Sequence, residues 1–202
     1  YFRGFFFMLY FLYISFIIIH MKPHKGKLLI AEPSILNDNS FNRAIVLLTE
    51  HSINNSVGFI LNRQLQYTLN DLIPELNCNF PIYQGGPVEQ DNLYFVHRVP
   101  DLIPDSIEVE KGIFWGGNFE TLRNLLNDEL ISTTDIRFFL GYSGWSKDQL
   151  EDEMNQNSWF VTENNFDNIF SIDEESLWKN KLLEKGGNYK LWANAPSDFN
   201  LN

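Results

Sequence analysis

The sequence predicts an α+β domain built on a mostly antiparallel, mixed sheet. Three observations carry that expectation. Short apolar runs rich in branched residues recur along the chain, with only a few helical patterns between them. In the first half these runs follow one another directly, which favours antiparallel pairing over β-α-β alternation. No repeat, low-complexity linker or composition break occurs after Gly26, so residues 21–202 read as a single domain. With 44% hydrophobic and 15% aromatic residues, the chain can build a real core.

The elements follow in order. Residues 27–31 (KLLIA) and 44–50 (AIVLLTE) are expected to be buried strands, separated by loop chemistry in PSILNDNSFNR. A polar turn, HSINNS, leads to a third strand over 57–62. Residues 68–76 suit a short helix capped by Thr68, with Leu69, Leu72, Ile73 and Leu76 at helical spacing and Pro74 limiting its length. PIYQGGPV (81–88) reads as a strand running into a glycine turn, and 92–99 as another strand. Residues 105–112 and 113–117 form a hairpin pattern. A helix over 118–130 is capped by Asn118 and buries Phe119, Leu122, Leu125 and Leu126. Strands are expected at 135–141 and 158–163. A last helix over 173–187 has Asp173 as cap, Leu177, Trp178, Leu182 and Leu183 buried, and Gly186 as its stop.

Residues 1–20 stand apart. The apolar run from Phe5 to Ile19 is shorter than the roughly 20 residues a spanning helix wants, and no small-residue cleavage site follows it. The favoured reading is translation from upstream of Met21. A membrane anchor and a signal peptide are the alternatives, and membrane contact is expected only if 5–19 is an anchor. With Lys22, Lys25 and Lys27 on the cytoplasmic side, even the anchor reading leaves the domain in the cytoplasm.

Charge excludes more than it suggests. From Gly26 onward the chain carries 12 basic against 26 acidic residues, a net of -14. That field repels duplex DNA, and no Lys/Arg cluster supplies a local basic stripe. The lone Cys78 allows no intrachain disulfide, and its neighbours bring no positive charge to activate the thiol, so it reads as structural. His51 and His97 lack partners at metal-ligand spacing, and no metal or cofactor is expected.

The segment 138–160, FFLGYSGWSKDQLEDEMNQNSWF, holds the strongest local signals. Gly141-Tyr142-Ser143-Gly144-Trp145 departs from the nucleophile elbow, because Trp145 occupies the second glycine position. The simpler reading is a tight turn at Gly141 and Gly144 that leads into a helix. Ser146 then opens a capping box closed by Gln149, and acidic residues fill the first helical turn. QGGPV lacks the Gly-Lys-Ser/Thr of a phosphate loop and makes a turn. Arg63, at a strand end, is placed to pair with an acid such as Asp38 or to bind an anion.

GKLLIAEP, DNSFNRAIVLLTEH, VGFILNR, YQGGPV and FFLGYSGWSKDQLEDEMNQNSW together, in this order and spacing, resemble the YqgE/AlgH family of bacterial proteins. The resemblance runs from Gly26 to about Trp159, with a looser tail. It implies an α+β fold whose bifurcated sheet curls into a pseudo-barrel with flanking helices, and no established enzymatic activity. The family is sometimes labelled a transcriptional regulator. The matching positions are Pro33, Asp38, Phe41, Arg43, Gly58, Asn62, Gly85, Gly86, Pro87, Gly141, Tyr142, Gly144, Trp145, Gln149, Leu150, Glu153 and Trp159. Gln64 departs from the proline usual there.

The leading expectation is a non-enzymatic, cytoplasmic regulatory or interaction protein. A protein partner or small ligand would be held by residues drawn from Asp38, Arg43, Asn62, Gly85, Gly86, Pro87, Tyr142, Ser143, Gly144, Trp145, Gln149 and Glu153, with Trp145 presented on the binding face. The rivals are a hydrolase using Ser143 and His97, and a DNA-binding regulator, the latter disfavoured by charge. Nothing in the sequence fixes an oligomeric state.

Overall fold

The computed structural model describes residues 22–195 apart from 77, 166–168 and 171–173. Among these residues ten strands form one sheet: β1 (Leu28–Ala31), β2 (Ile45–His51), β3 (Asn55–Ile60), β4 (Gln64–Thr68), β5 (Pro81–Gln84), β6 (Val88–His97), β7 (Ile107–Glu110), β8 (Ile113–Trp115), β9 (Ile136–Ser146) and β10 (Trp159–Thr162). Among the described residues five α-helices accompany it: α1 (Leu69–Leu72), α2 (Phe119–Asn127), α3 (Gln149–Asn155), α4 (Glu174–Lys185) and α5 (Tyr189–Ala193). The main path runs β10-β1-β2-β3-β9-β6-β8-β7, and β5 joins β9 in parallel with β4 on its far side. Every other pairing is antiparallel.

The sheet bifurcates at β9. One edge of β9 pairs with β6. The other edge pairs with β5 along Phe138–Leu140 and then with β3 along Ser143–Ser146. The end strands β10 and β7 do not pair, so the sheet is not closed into a barrel. Its curl nevertheless gathers Leu28 and Ile30 of β1 with Val109 of β7 and Ile113 of β8 in one core, covered by Trp178 and Leu182 of α4.

Burial explains the continuous apolar runs of the first two strands. Leu28, Ile30, Ile45 and Leu47 face that core, while Leu29, Ala31, Val46 and Leu48 pack outward beneath Leu150 of α3. A strand covered on both faces needs apolar residues at every position. On a further face, Leu122 and Leu126 of α2 pack against Phe95, Ile136 and Phe138. The Asn118 cap forms as expected, its Oδ1 accepting from Thr121 N–H at 2.8 Å.

Several expectations change. Thr68 caps α1, but Leu72 is exposed because the helix ends after four residues, ahead of Pro74. Phe119 and Leu183 are also more than a third exposed, lying at the edges of the buried stripes of their helices. β4 and α5 carry no strong periodicity and are found only in the fold. Gly186, at φ +77°, ends α4 and donates its N–H to Leu182 O at 3.1 Å, whereas the expected Asp173 cap lies outside the described residues. The readings of residues 1–20 also lie outside them. Among the described residues no helix is long and apolar enough to cross a membrane.

The largest correction concerns 141–146. These residues are not a turn: they continue β9 to Ser146, and the turn comes at Lys147-Asp148, with Asp148 at φ +63°. Backbone pairing with β3 draws the segment into the sheet, which glycine content alone does not reveal.

Candidate functional site

The expected site residues lie in three places. The first is the branch point of the sheet. Leaving β5, the chain crosses the backbone of β9 through Gly85 and Gly86. A Cβ on Gly86 would sit 2.3 Å from Tyr142 C and O, and one on Gly141 would sit 2.6 Å from Val88 O. Gly141 also has φ +68°, a conformation that side chains resist. The glycines are therefore required by close backbone approach at the fork. Ser143 is fully buried there and donates its hydroxyl to Gly85 O at 3.0 Å, tying the crossing together. Ser143 is a structural clamp, not an exposed nucleophile.

Above this crossing lies an aromatic and polar face. Tyr142 is half-buried and meets Tyr94 edge-on, with ring centroids 5.6 Å apart. Its ring covers Gly144, where an added Cβ would lie 2.9 Å from Tyr142 Cε2. The Tyr94 hydroxyl donates to Glu89 Oε2 at 2.5 Å, and Asn92 Nδ2 donates to the same oxygen at 2.8 Å. These bonds hold the Glu89 carboxyl below its ordinary range. Burial and the Glu89 carboxylate raise the Tyr94 phenol. Glu89 adopts φ +49° within the irregular register between Val88 and Leu93, and Pro87 is exposed beside it. Glu89, Asn92 and Tyr94 were not singled out from sequence. Strand register brings them to Tyr142, and no motif marks it.

The second place is a buried knot around Glu153. Its Oε2 accepts the indole N–H of Trp145 at 2.8 Å and that of Trp159 at 2.7 Å, while Oε1 accepts from Gln149 Nε2 at 3.0 Å. Trp145 and Trp159 are each 3% exposed and cross edge-on at 5.9 Å, with Phe41 packed against both. Of the expected capping box only the reach-back forms, Gln149 Oε1 accepting from Ser146 N–H at 3.0 Å and from its hydroxyl at 3.1 Å; Asp148, not Ser146, precedes the first turn of α3, and it makes no side-chain cap. Trp145 is not presented on a binding face. Its position on β9 points it under α3, where Leu150 and Ile60 enclose it.

The third place is the 38–43 loop. Asp38 Oδ1 accepts from Ser40 and Phe41 N–H, at 2.7 and 2.9 Å. Asn62 bridges Ile45 N–H and Arg43 O, each at 2.9 Å. Arg63 donates to the carbonyls of Ser40 and Asn42 at 2.6 and 2.7 Å rather than to the Asp38 carboxylate. Arg43 donates to Ala195 O at 2.9 Å and lies 5.0 Å from the Trp178 ring. These polar side chains satisfy loop backbone groups and fix the loop to the sheet.

The Ser143–His97 pair does not assemble. His97 pairs with Ile136, seven residues along β9 from Ser143, a separation of roughly 23 Å at strand rise. His97 is itself fully buried: Nδ1 accepts from Val99 N–H at 3.3 Å, which leaves Nε2–H to donate to Gly116 O at 3.1 Å. Burial pushes its pKa down. Among the described residues no group of three or more His, Cys, Asp or Glu side chains could hold a metal. Burial raises the Cys78 thiol, as expected of an unactivated cysteine.

Residues 28–190 match a family model described as AlgH-like. A UPF0301 protein of Cytophaga hutchinsonii is 41% identical over 180 residues, covering 88% of this chain and 98% of its own. One from Bacteroides thetaiotaomicron is 38% identical over 176 residues, covering 86% and 89%. Among solved structures, a protein from Corynebacterium diphtheriae superposes with TM-score 0.70 at 20% identity, covering 88% of this chain and 95% of that one. The AlgH protein of Pseudomonas aeruginosa gives 0.66 at 22%, covering 89% and 98%. At these identities the two structures establish the shared fold.

Proposed function

The chain belongs to the AlgH-like family, and from that premise we propose that it is a non-enzymatic regulatory or interaction protein of the cytoplasm. Its working face is the Tyr142–Tyr94 pair with Pro87 and Glu89, above the fork of the sheet. One observation carries this reading. A half-buried tyrosine pair, its Tyr94 hydroxyl bound to a carboxylate whose backbone sits in a left-handed conformation, lies on the rigid crossing built by Gly85, Gly86 and Gly141. Aromatic side chains with a polar rim on a rigid support suit recognition of a partner. Strained backbone at a surface site supports the same reading.

The test is a crosslinked, nuclease-treated pull-down of the full chain against Tyr142→Ser. A stoichiometric protein lost in the variant, with thermal melting unchanged, supports the face. A partner retained equally by both removes Tyr142 from the interface. Direct DNA binding is disfavoured by the net charge of -14 from Gly26 onward. Duplex affinity falling steeply with salt would reverse that view.

A further inference from the structure

A groove of about 480 Å³ opens between the exit of β1, the turn joining α3 to β10, and α5. Its lining includes Glu32, Ser34, Asn157, Asn188, Tyr189 and Trp192, and it shares no residue with the tyrosine face. We propose that it binds a neutral, hydroxyl-rich ring, a sugar, stacked on Trp192. The volume falls in the range of small-molecule sites. Trp192 is 41% exposed on a five-residue helix, and Tyr189 precedes it by three positions, so the two rings share a helix face.

Polar groups surround the rings. Ser34 Oγ donates to Asn157 O at 2.7 Å and braces the lip of the groove. Asn157 and Asn188 are exposed, and Asn188 makes no capping bond with its side chain although it precedes α5. Each amide offers both a donor and an acceptor.

Charge selects the ligand class. Glu32 is 7% exposed, and its Oε1 accepts from Lys185 Nζ at 2.6 Å and from the Tyr189 hydroxyl at 3.1 Å. The carboxylate is therefore already neutralised, while its Oε2 takes no hydrogen bond among the described residues. The same ammonium lies 3.7 Å from the Phe160 ring centroid and 4.1 Å from that of Tyr189. The cation position between the carboxylate and these rings is filled from within, so an organic cation would find the carboxylate and those ring faces already taken by Lys185. An anion would meet the strongly acidic body. A neutral ring with an apolar face for Trp192 and hydroxyls for Oε2 and the two amides meets every requirement.

The test titrates the full chain with glucose, galactose, N-acetylglucosamine and maltose, read by tryptophan fluorescence and by calorimetry. Glucosamine and glucuronate serve as charged counterparts, and adenosine as a planar neutral control. At least one neutral sugar is expected to saturate. Trp192→Ala and Asn188→Ala are each expected to weaken it about tenfold, and the charged counterparts to bind about tenfold more weakly. Both substituted side chains are exposed, and circular dichroism verifies folding. No saturation by any neutral sugar up to about 50 mM overturns the proposal, since weaker binding falls short of even a millimolar site. So does binding that both variants leave unchanged, or tighter binding of adenosine. Because the pull-down probes Tyr142, the two readings fail independently.

Discussion

Replacing Glu153 by Leu removes the acceptor shared by two buried indoles. In the native structure Oε2 takes the N–H groups of Trp145 and Trp159 at 2.8 and 2.7 Å. Each bond involves a charged acceptor, and each indole is 3% exposed. An orphaned buried donor costs about 1–3 kcal/mol. Glu153 itself is half-buried, so water can reach part of the gap and lower the penalty. The expected loss is about 2–4 kcal/mol for the pair, set against a total stability of roughly 5–15 kcal/mol. At about 2–4 °C per kcal/mol for a chain of this size, Tm falls by roughly 10 °C. Glu153→Gln keeps a carbonyl oxygen for both indoles and is expected to lose only about 1 kcal/mol. Urea unfolding followed by tryptophan fluorescence and far-UV circular dichroism measures both variants. If Glu153→Leu lies within about 0.5 kcal/mol of the native protein, the knot is not what holds α3 to the sheet, and the reasoning fails.

Gly141→Ala places a Cβ 2.6 Å from Val88 O at φ +68°. Both strain and collision oppose it, so a loss of at least about 3 kcal/mol is expected, seen as a lower urea midpoint or as insoluble protein. His97 is buried with a depressed pKa. The unfolded chain therefore binds more protons below the ordinary histidine range near ~6.5, and stability falls as pH drops from there toward the folded pKa. Urea midpoints across that window are expected to slope less in His97→Phe, and an unchanged slope would assign the titration elsewhere. The raised Cys78 thiol should react with a disulfide reagent about tenfold more slowly in the folded protein than in urea. Equal rates would show an open, unperturbed thiol.

The sequence made much of the fold legible wherever one residue type had a single local use. Continuous runs such as KLLIA could only be strands covered on both faces, and the Asn118 cap and the Gly186 stop act through backbone groups within a few residues of themselves. The Gln149 reach-back to Ser146 was legible for the same reason. The family resemblance supplied the bifurcated sheet.

The site was less legible because its residue types have two uses. A tryptophan beside glycines suits an interface or a core, and only the pairing of β9 with β3 turns Trp145 beneath α3 onto Glu153. Asp38, Asn62 and Arg63 could have met a ligand, but the fold gives their hydrogen bonds to loop backbone. Conversely, Glu89 and Tyr94 meet Tyr142, and Glu32 meets Lys185 153 positions along the chain, through contacts that leave no periodic trace. By itself the sequence determined which segments had to be buried and where local caps and stops fall, because hydrophobic periodicity and capping act over a few residues. Only the tertiary structure decided which polar and aromatic side chains stay in reach of solvent, because that depends on strand register and on a fork where three backbones pass too closely for any side chain.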